Sequence, residues 1–198
     1  MNDFQACGSE IKLDTIRRRL LENCIPGTQI SENHYRAAAV LIPLVCVENK
    51  WHLLYTRRTD LVQNHKGQVS FPGGAVEDCD TSREDTALRE AYEEIGVQAD
   101  DVQILGRLWD MQTITGFVIT PVVAHMNWPI NLNLSLDEVS RAFIVPLEWL
   151  ANRANHTEIE MDLPDGSHQT VIHFNPYDGE NIWGATARLT LNFLHTIL

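Results

Sequence analysis

The sequence predicts an α/β domain in which a mixed sheet lies between helices. Three observations carry that expectation. Short apolar, strand-like runs at residues 37–47, 52–56, 102–105 and 117–124 alternate with helical patterns over Leu13–Asn23 and Arg83–Ile95. A glycine pair, Gly73-Gly74, ends the early strands and leads through a loop into the acidic helix. The 198 residues are enough for one domain with a substantial core. Residues 1–30 read as an N-terminal helical extension and 31–198 as the main domain.

Charge and composition exclude several function classes. A formal net charge of -12 and a pI near 5.0 argue against non-specific binding to nucleic acid or anionic membrane, so an anionic substrate must be met by local basic residues or by metal. Cys7, Cys24, Cys46 and Cys79 are widely spaced with no C-x-x-C, which predicts reduced thiols in a cytoplasmic protein rather than a disulfide framework or a zinc site. The opening MNDFQACGSE has no basic start followed by an apolar core, and no apolar run reaches transmembrane length. Neither repeats nor low-complexity tracts are present.

In chain order, Leu13–Asn23 has Leu13, Ile16, Leu20 and Leu21 on one side, as expected of an amphipathic helix packed on the domain, before Pro26 and Gly27 break the chain. Residues 37–47, AAAVLIPLVCV, form a buried strand in which Pro43 predicts a bulge or an edge position. A turn at 48–50 leads to the next strand, 52–56. Arg57, Arg58, His65 and Lys66 then form a basic cluster that is either a solvated loop or an anion-binding loop facing the acidic helix.

Ser82 and Asp85 have capping-box spacing and Gly96 supplies the stop, giving a helix over Arg83–Ile95. At 100° per residue Ala87, Leu88, Ala91, Tyr92 and Ile95 gather on one side, with Glu90, Glu93 and Glu94 on the other. Strands at 102–105 and 117–124 follow, the second entered through a turn at 113–116. Ser135 and Glu138 again have capping-box spacing and predict a short helix. Residues 158–173 read as a hairpin turning at Pro164-Asp165-Gly166, and Trp183 reads as a core residue before an apolar helix that runs to Leu198.

The three glutamates are surface neighbours, and like charges so placed oppose an isolated helix by a few tenths of a kcal/mol per pair, roughly. On their own they describe a solvated acidic face. A divalent cation would relieve the repulsion, and all-oxygen ligands suit Mg²⁺ or Mn²⁺. The glycine turn, the capped helix and the run Arg89-Glu90 through Glu93-Glu94 to Gly96-Val97 together decide between these readings.

That pattern resembles the Nudix box of the diphosphate hydrolases, G-x5-E-x7-R-E-U-x-E-E-x-G-U with U aliphatic. Gly74, Arg89, Glu90, Glu93, Glu94, Gly96 and Val97 fall on it. Asp80 stands where the first Glu is expected, Ala91 is a small U residue, and the gap from Asp80 to Arg89 is one residue longer. The stretch LLYTRRTDLVQNHKGQVSFPGG further resembles the signature of the coenzyme A pyrophosphatase branch, L-L-T-x-R-S-x3-R-x3-G-x3-F-P-G-G. Leu54, Thr56, Arg58, Gly67, Phe71, Pro72, Gly73 and Gly74 match, whereas Tyr55, Thr59 and Gln63 depart from it.

The resemblance implies a Nudix-like α/β/α sandwich over residues 31–198, a possible homodimer, and hydrolysis of the diphosphate bond of coenzyme A or its derivatives to 3′,5′-ADP and 4′-phosphopantetheine. In that reading Glu90 and Glu94 hold the cation and Glu93 adds a ligand or orients the attacking water. Arg89 fixes the glutamates, Arg57, Arg58 and Lys66 contact phosphate, and Gln68 offers a neutral hydrogen bond. Glu138 either caps its own segment or, as a loop glutamate does in many Nudix enzymes, reaches the reaction centre. Another nucleoside diphosphate derivative, such as ADP-ribose or NADH, and a non-catalytic binding module are the alternatives.

Overall fold

The computed structural model describes residues 7–23, 35–61, 66–162 and 168–198. Cys24, Pro26, Gly27, Gln63, His65 and the predicted Pro164-Asp165-Gly166 turn lie outside those residues. The strand β1 (Arg36–Val47) is the axis of the sheet. It turns back into β2 (Lys50–Arg58) through Glu48 and Asn49, whose φ values of 50° and 62° are those of the type I′ turn that a two-residue hairpin favours. On its other side β1 runs parallel to β7 (Phe117–Met126). The main path is β3-β2-β1-β7-β5, with β3 at Val69–Ser70 and β5 at Val102–Arg107. Three strands lie off this path: β4 (Gly73–Ala75) on β1, β6 (Met111–Gln112) on β7, and β8 (Val139–Pro146) on β2. A separate hairpin joins β9 (His156–Asp162) to β10 (His168–Phe174).

Pro43 occupies neither an outer strand nor a bulge. It pairs with Ala124 inside the central strand, and on the other flank β1 changes partner around it, from β4 at Ala38–Val40 to β2 at Leu44–Val47. The Leu41 N–H donates to the Pro72 carbonyl on that flank, so the alternation of the strand points the missing Pro43 N–H into the gap between the two partners. No ladder bond is lost there.

Helices cover both faces. The helix α2 (Arg83–Ile95) lies on one, its Ala87 and Ala91, small residues that let helix and sheet approach closely, against Ala39, Leu41, Val122 and Ala124. Its end, Ile95 and Val97, packs on Val45, Leu54 and Met126. The opposite face carries α1 (Leu13–Asn23) and α4 (Gly184–Ile197), with the short α3 (Leu147–Ala151) beside them. There Ile16, Leu20, Phe193 and Leu194 join Ile42, Leu44, Leu53 and Tyr55 in the main apolar cluster. This is the predicted sheet between helices.

Further expectations of the fold need correction. Cys7 and Cys46 form a disulfide that ties the segment before α1 to β1, while Cys79 is free and exposed; spacing along the chain says nothing of two cysteines that the fold brings together. Ser135 to Glu138 is a single turn, the Glu138 and Val139 N–H groups both donating to the Ser135 carbonyl, because the following residues pair with β2 instead of coiling. Trp183 is 39% exposed and stacks on His173 at 5.6 Å. Leu21, expected on the packed side of α1, is exposed. Among the described residues no helix is long and apolar enough to cross a membrane.

Candidate active site

The site is built where β4 meets α2. Antiparallel pairing of Ala38–Val40 with Gly73–Ala75 lays the glycine pair against the helix. A Cβ placed on Gly74 would lie 2.4 Å from Glu90 Oε1, so only glycine leaves the carboxylate its position. The helix begins where Ser82 Oγ accepts from the Asp85 N–H and ends at Gly96, whose φ of 74° lets its N–H return to the Tyr92 carbonyl.

Arg89 is the hub. Its Nε and Nη2 donate to the two carboxylate oxygens of Asp80 at 3.0 Å each, its Nη1 to Glu90 Oε1 at 2.9 Å and Glu93 Oε2 at 3.1 Å, and Nη2 also to the Ala75 carbonyl. The bidentate bond from Arg89 holds the Asp80 carboxyl far below the usual carboxylate range. The Glu77 N–H and Thr86 hydroxyl donate to the same carboxylate. The longer gap between Asp80 and Arg89 therefore does not part them. The motif position of Asp80 was visible in the sequence, but its contact with Arg89 required the loop geometry.

Glu94 departs from the helical-wheel expectation. Its side chain is 2% exposed, and Tyr92, assigned to the packed side, is 55% exposed. The angles explain both: at 100° per residue Glu94 lies only about 20° from Ala87, whereas Tyr92 falls near the rim of the apolar arc. Glu94 Oε1 is 3.8 Å from Arg58 Nη1, and Oε2 is buried without a hydrogen-bond partner. Burial pushes the Glu94 carboxyl up to about 8, against the pull of Arg58, with the charges of Glu90 and Glu138 adding to the rise. Burial also raises Glu90, which Arg89 opposes and Glu93 and Glu138 reinforce. Glu138 is exposed in its turn, where its carbonyl accepts from the Thr59 N–H, and its charge acts on both helix carboxylates.

The fold thus gathers Arg89, Glu90, Glu93, Glu94, Glu138 and Arg58. It separates Arg57, which the alternation of β2 turns to the opposite face, where it lies 3.5 Å from Glu180. Glu180 also accepts from Arg141 at 3.0 Å and is presented by the tight turn Tyr177-Asp178-Gly179-Glu180. No local pattern marks that distant partner. Lys66 is exposed on the loop before β3, and the Gln68 carbonyl accepts from the Arg58 N–H. A cleft of about 370 Å³ opens beside Glu93, lined by Tyr92, Gln98, Asn133 and Leu134 among others.

Among the described residues no three His, Cys, Asp or Glu side chains converge into a metal cage. The donors nevertheless fit a small hard cation, which takes only one or two protein carboxylates: Glu94 Oε2 is buried without a hydrogen-bond partner, and neighbouring carboxylate charges add to the burial that raises Glu90 and Glu94.

Comparison with known proteins gives concordant results. The NUDIX domain family model matches residues 35–165. A Photorhabdus laumondii protein described as the uncharacterised Nudix hydrolase NudL is 35% identical over 176 residues, covering 89% of this chain and 92% of the relative. Its namesake in Yersinia enterocolitica is 35% identical over 174 residues, covering 88% and 87%. Among solved structures, DR0079 from Deinococcus radiodurans superposes with a TM-score of 0.52 at 16% identity, over 83% of this chain and 88% of that one, a likeness of fold.

Proposed function

The chain belongs to the Nudix hydrolase family and acts on nucleoside diphosphate derivatives, and from that premise we propose that its substrate is coenzyme A or an acyl derivative, cleaved to 3′,5′-ADP and 4′-phosphopantetheine. The observation that carries the chemistry is the buried, partnerless Glu94 oxygen beside Glu90 and Glu138. The substrate class rests on the match of Leu54, Thr56, Arg58, Gly67, Phe71 and Pro72 to the coenzyme A pyrophosphatase signature on β2 through β4.

Glu90 and Glu94 would hold Mg²⁺ or Mn²⁺, with Glu93 as a further ligand. When bound, the cation neutralises the diphosphate and makes water a stronger nucleophile. Water adds to one phosphorus, the bridging P–O bond breaks, and the oxygen leaves on the other phosphate. Glu138, exposed and facing the helix carboxylates, accepts the proton of the attacking water. Arg89 is a positioning residue that fixes Glu90 and Glu93 through its ion pairs. Arg58 and Lys66 meet the phosphates and Gln68 supplies a neutral hydrogen bond, while Arg57, engaged with Glu180, steadies the strand. A homodimer completes the reading.

Hydrolysis of coenzyme A beside ADP-ribose, NADH and nucleoside triphosphates, with Mg²⁺, Mn²⁺ or a chelator, tests it. Metal-dependent release of 3′,5′-ADP well above the other reactions is expected. Glu94→Gln should lower turnover by roughly two orders of magnitude or more with the fold intact; near-normal turnover in a folded variant removes Glu94 from the mechanism. Gln63, standing where the signature has arginine, favours a second reading, hydrolysis of another nucleoside diphosphate derivative, which faster turnover of ADP-ribose or NADH would establish. No hydrolysis of any of them would leave a binding module.

A further inference from the structure

We propose that Arg58 exchanges partners during the binding cycle. It neutralises Glu94 while no cation is there, and it turns to the substrate's diphosphate once a divalent cation takes Glu94, so that one side chain couples the two binding events. The inference rests on the diphosphate-hydrolase reading above and goes beyond it by giving Arg58 two partners in sequence.

The contact between Arg58 and Glu94 is incomplete on both sides. The 3.8 Å from Nη1 to Oε1 lies within ion-pair range but beyond hydrogen-bond length. Arg58 Nε and Glu94 Oε2 are both buried and both lack a partner. A guanidinium carries five N–H donors in a fixed fork, and a buried polar group left without a partner is costly, so a finished structural ion pair would not look like this.

The neighbouring arginines show the contrast. Arg89 uses Nε, Nη1 and Nη2 on Asp80, Glu90, Glu93 and the Ala75 carbonyl. Arg141 is held by Glu180 and Asp178, and Arg57 lies against Glu180. Among the described residues beside the carboxylate cluster, Arg58 has a buried guanidinium nitrogen, Nε, without a hydrogen-bond partner. A cation would satisfy Oε2 and repel the guanidinium; an anionic diphosphate would satisfy Nε.

The backbone holds still while the side chain moves. Ser140 is the extra residue where the β2–β8 register slips between Arg57 and Arg58, and its hydroxyl lies within donating distance of both their carbonyls. The Arg58 N–H donates to Gln68, and the next N–H, of Thr59, donates to Glu138. The Arg58 side chain is itself 27% exposed, so part of it already meets solvent.

The test is thermodynamic. The affinity of adenosine 5′-(α,β-methylene)diphosphate, a diphosphate whose bridge cannot be hydrolysed, is measured by calorimetry with Mg²⁺ and with chelator, in the wild type and in Arg58→Met. The ratio of the two affinities is the coupling. Partner exchange predicts that Arg58→Met lowers that ratio by about 10-fold, while Arg58→Lys, which keeps the charge, restores part of it and serves as the readout if the methionine variant does not fold. An unchanged ratio overturns the proposal in either of two ways. Equal weakening in both conditions makes Arg58 a constant phosphate contact, and no weakening in either makes it a fixed counter-ion to Glu94. A wild type that binds the probe no better with Mg²⁺ than with chelator overturns the metal-dependent reading itself, and the exchange falls with it.

Discussion

Glu94 and Asp80 respond to pH in opposite directions because burial dominates one and a bidentate arginine the other. In the metal-free protein the folded Glu94 carboxyl titrates near 8, far above the value of about 4.3 in an unfolded chain. Between those values the folded state holds one more proton than the unfolded state, so stability falls as pH rises through this window. Chelator-treated protein should show that decline in urea unfolding between pH 5 and 8, and Glu94→Gln should flatten it. Asp80 is depressed instead, by Arg89 first. Its contribution is complete above the unfolded value of about 3.9 and is lost as pH falls below it. Asp80→Asn should therefore remove acid sensitivity below pH 4 and cost about 3 kcal/mol at pH 7, since it leaves a largely buried guanidinium short of its main partner. Gly74→Ala is the complementary test. A methyl at 2.4 Å from a Glu90 oxygen pushes aside a carboxylate that Arg89 holds. Activity should drop by about 10- to 100-fold, with little change in the urea midpoint.

At the scale of elements, what the sequence discloses is what local chemistry decides. The bounds of α2 were legible because Ser82 and Gly96 satisfy its ends within a few residues, and the turn at 48–50 was legible because β1 and β2 read as adjacent apolar runs. The turn at Ser135 to Glu138 was not, because the same capping spacing serves a helix or a single turn and distant pairing with β2 chooses. Within α2 the apolar arc was drawn around hydrophobic residues alone, which hid a glutamate just beyond its Ala87 edge and inside the buried arc. The disulfide is likewise a contact of the fold. It spans 39 residues, and closing such a loop in the unfolded chain corresponds to about 4 kcal/mol in the chain-entropy account. Under oxidising conditions Cys46→Ser should lose stability on that order. Added reductant should lower the wild-type urea midpoint toward that of the variant and leave the variant's own midpoint unmoved.

For the whole molecule, the alternation of strand and helix patterns was sufficient to place a sheet between helices, but it could not supply strand order. That β7 returns parallel to β1 and β4 antiparallel to it is fixed by pairings over long separations. The resulting layers divide the labour: α2 and the carboxylates lie on one face, α1 and α4 on the other, with the main apolar cluster on the second. Stability and chemistry should then separate by face. Ile16 and Leu20 of α1 are fully buried among Ile42, Leu44 and Phe193, away from Glu90 and Glu94. Ile16→Ala and Leu20→Ala should each destabilise by about 2–5 kcal/mol, the usual range for emptying an aliphatic site in a packed core. The two sites share one helix and one cluster, so the double variant need not sum the single effects. Below the unfolding transition, however, kcat/KM should stay within about 2-fold of the wild type. A selective fall in kcat/KM at temperatures where either variant is folded would show that the α1 face shapes the catalytic face, and that the sheet transmits what its layers were expected to isolate.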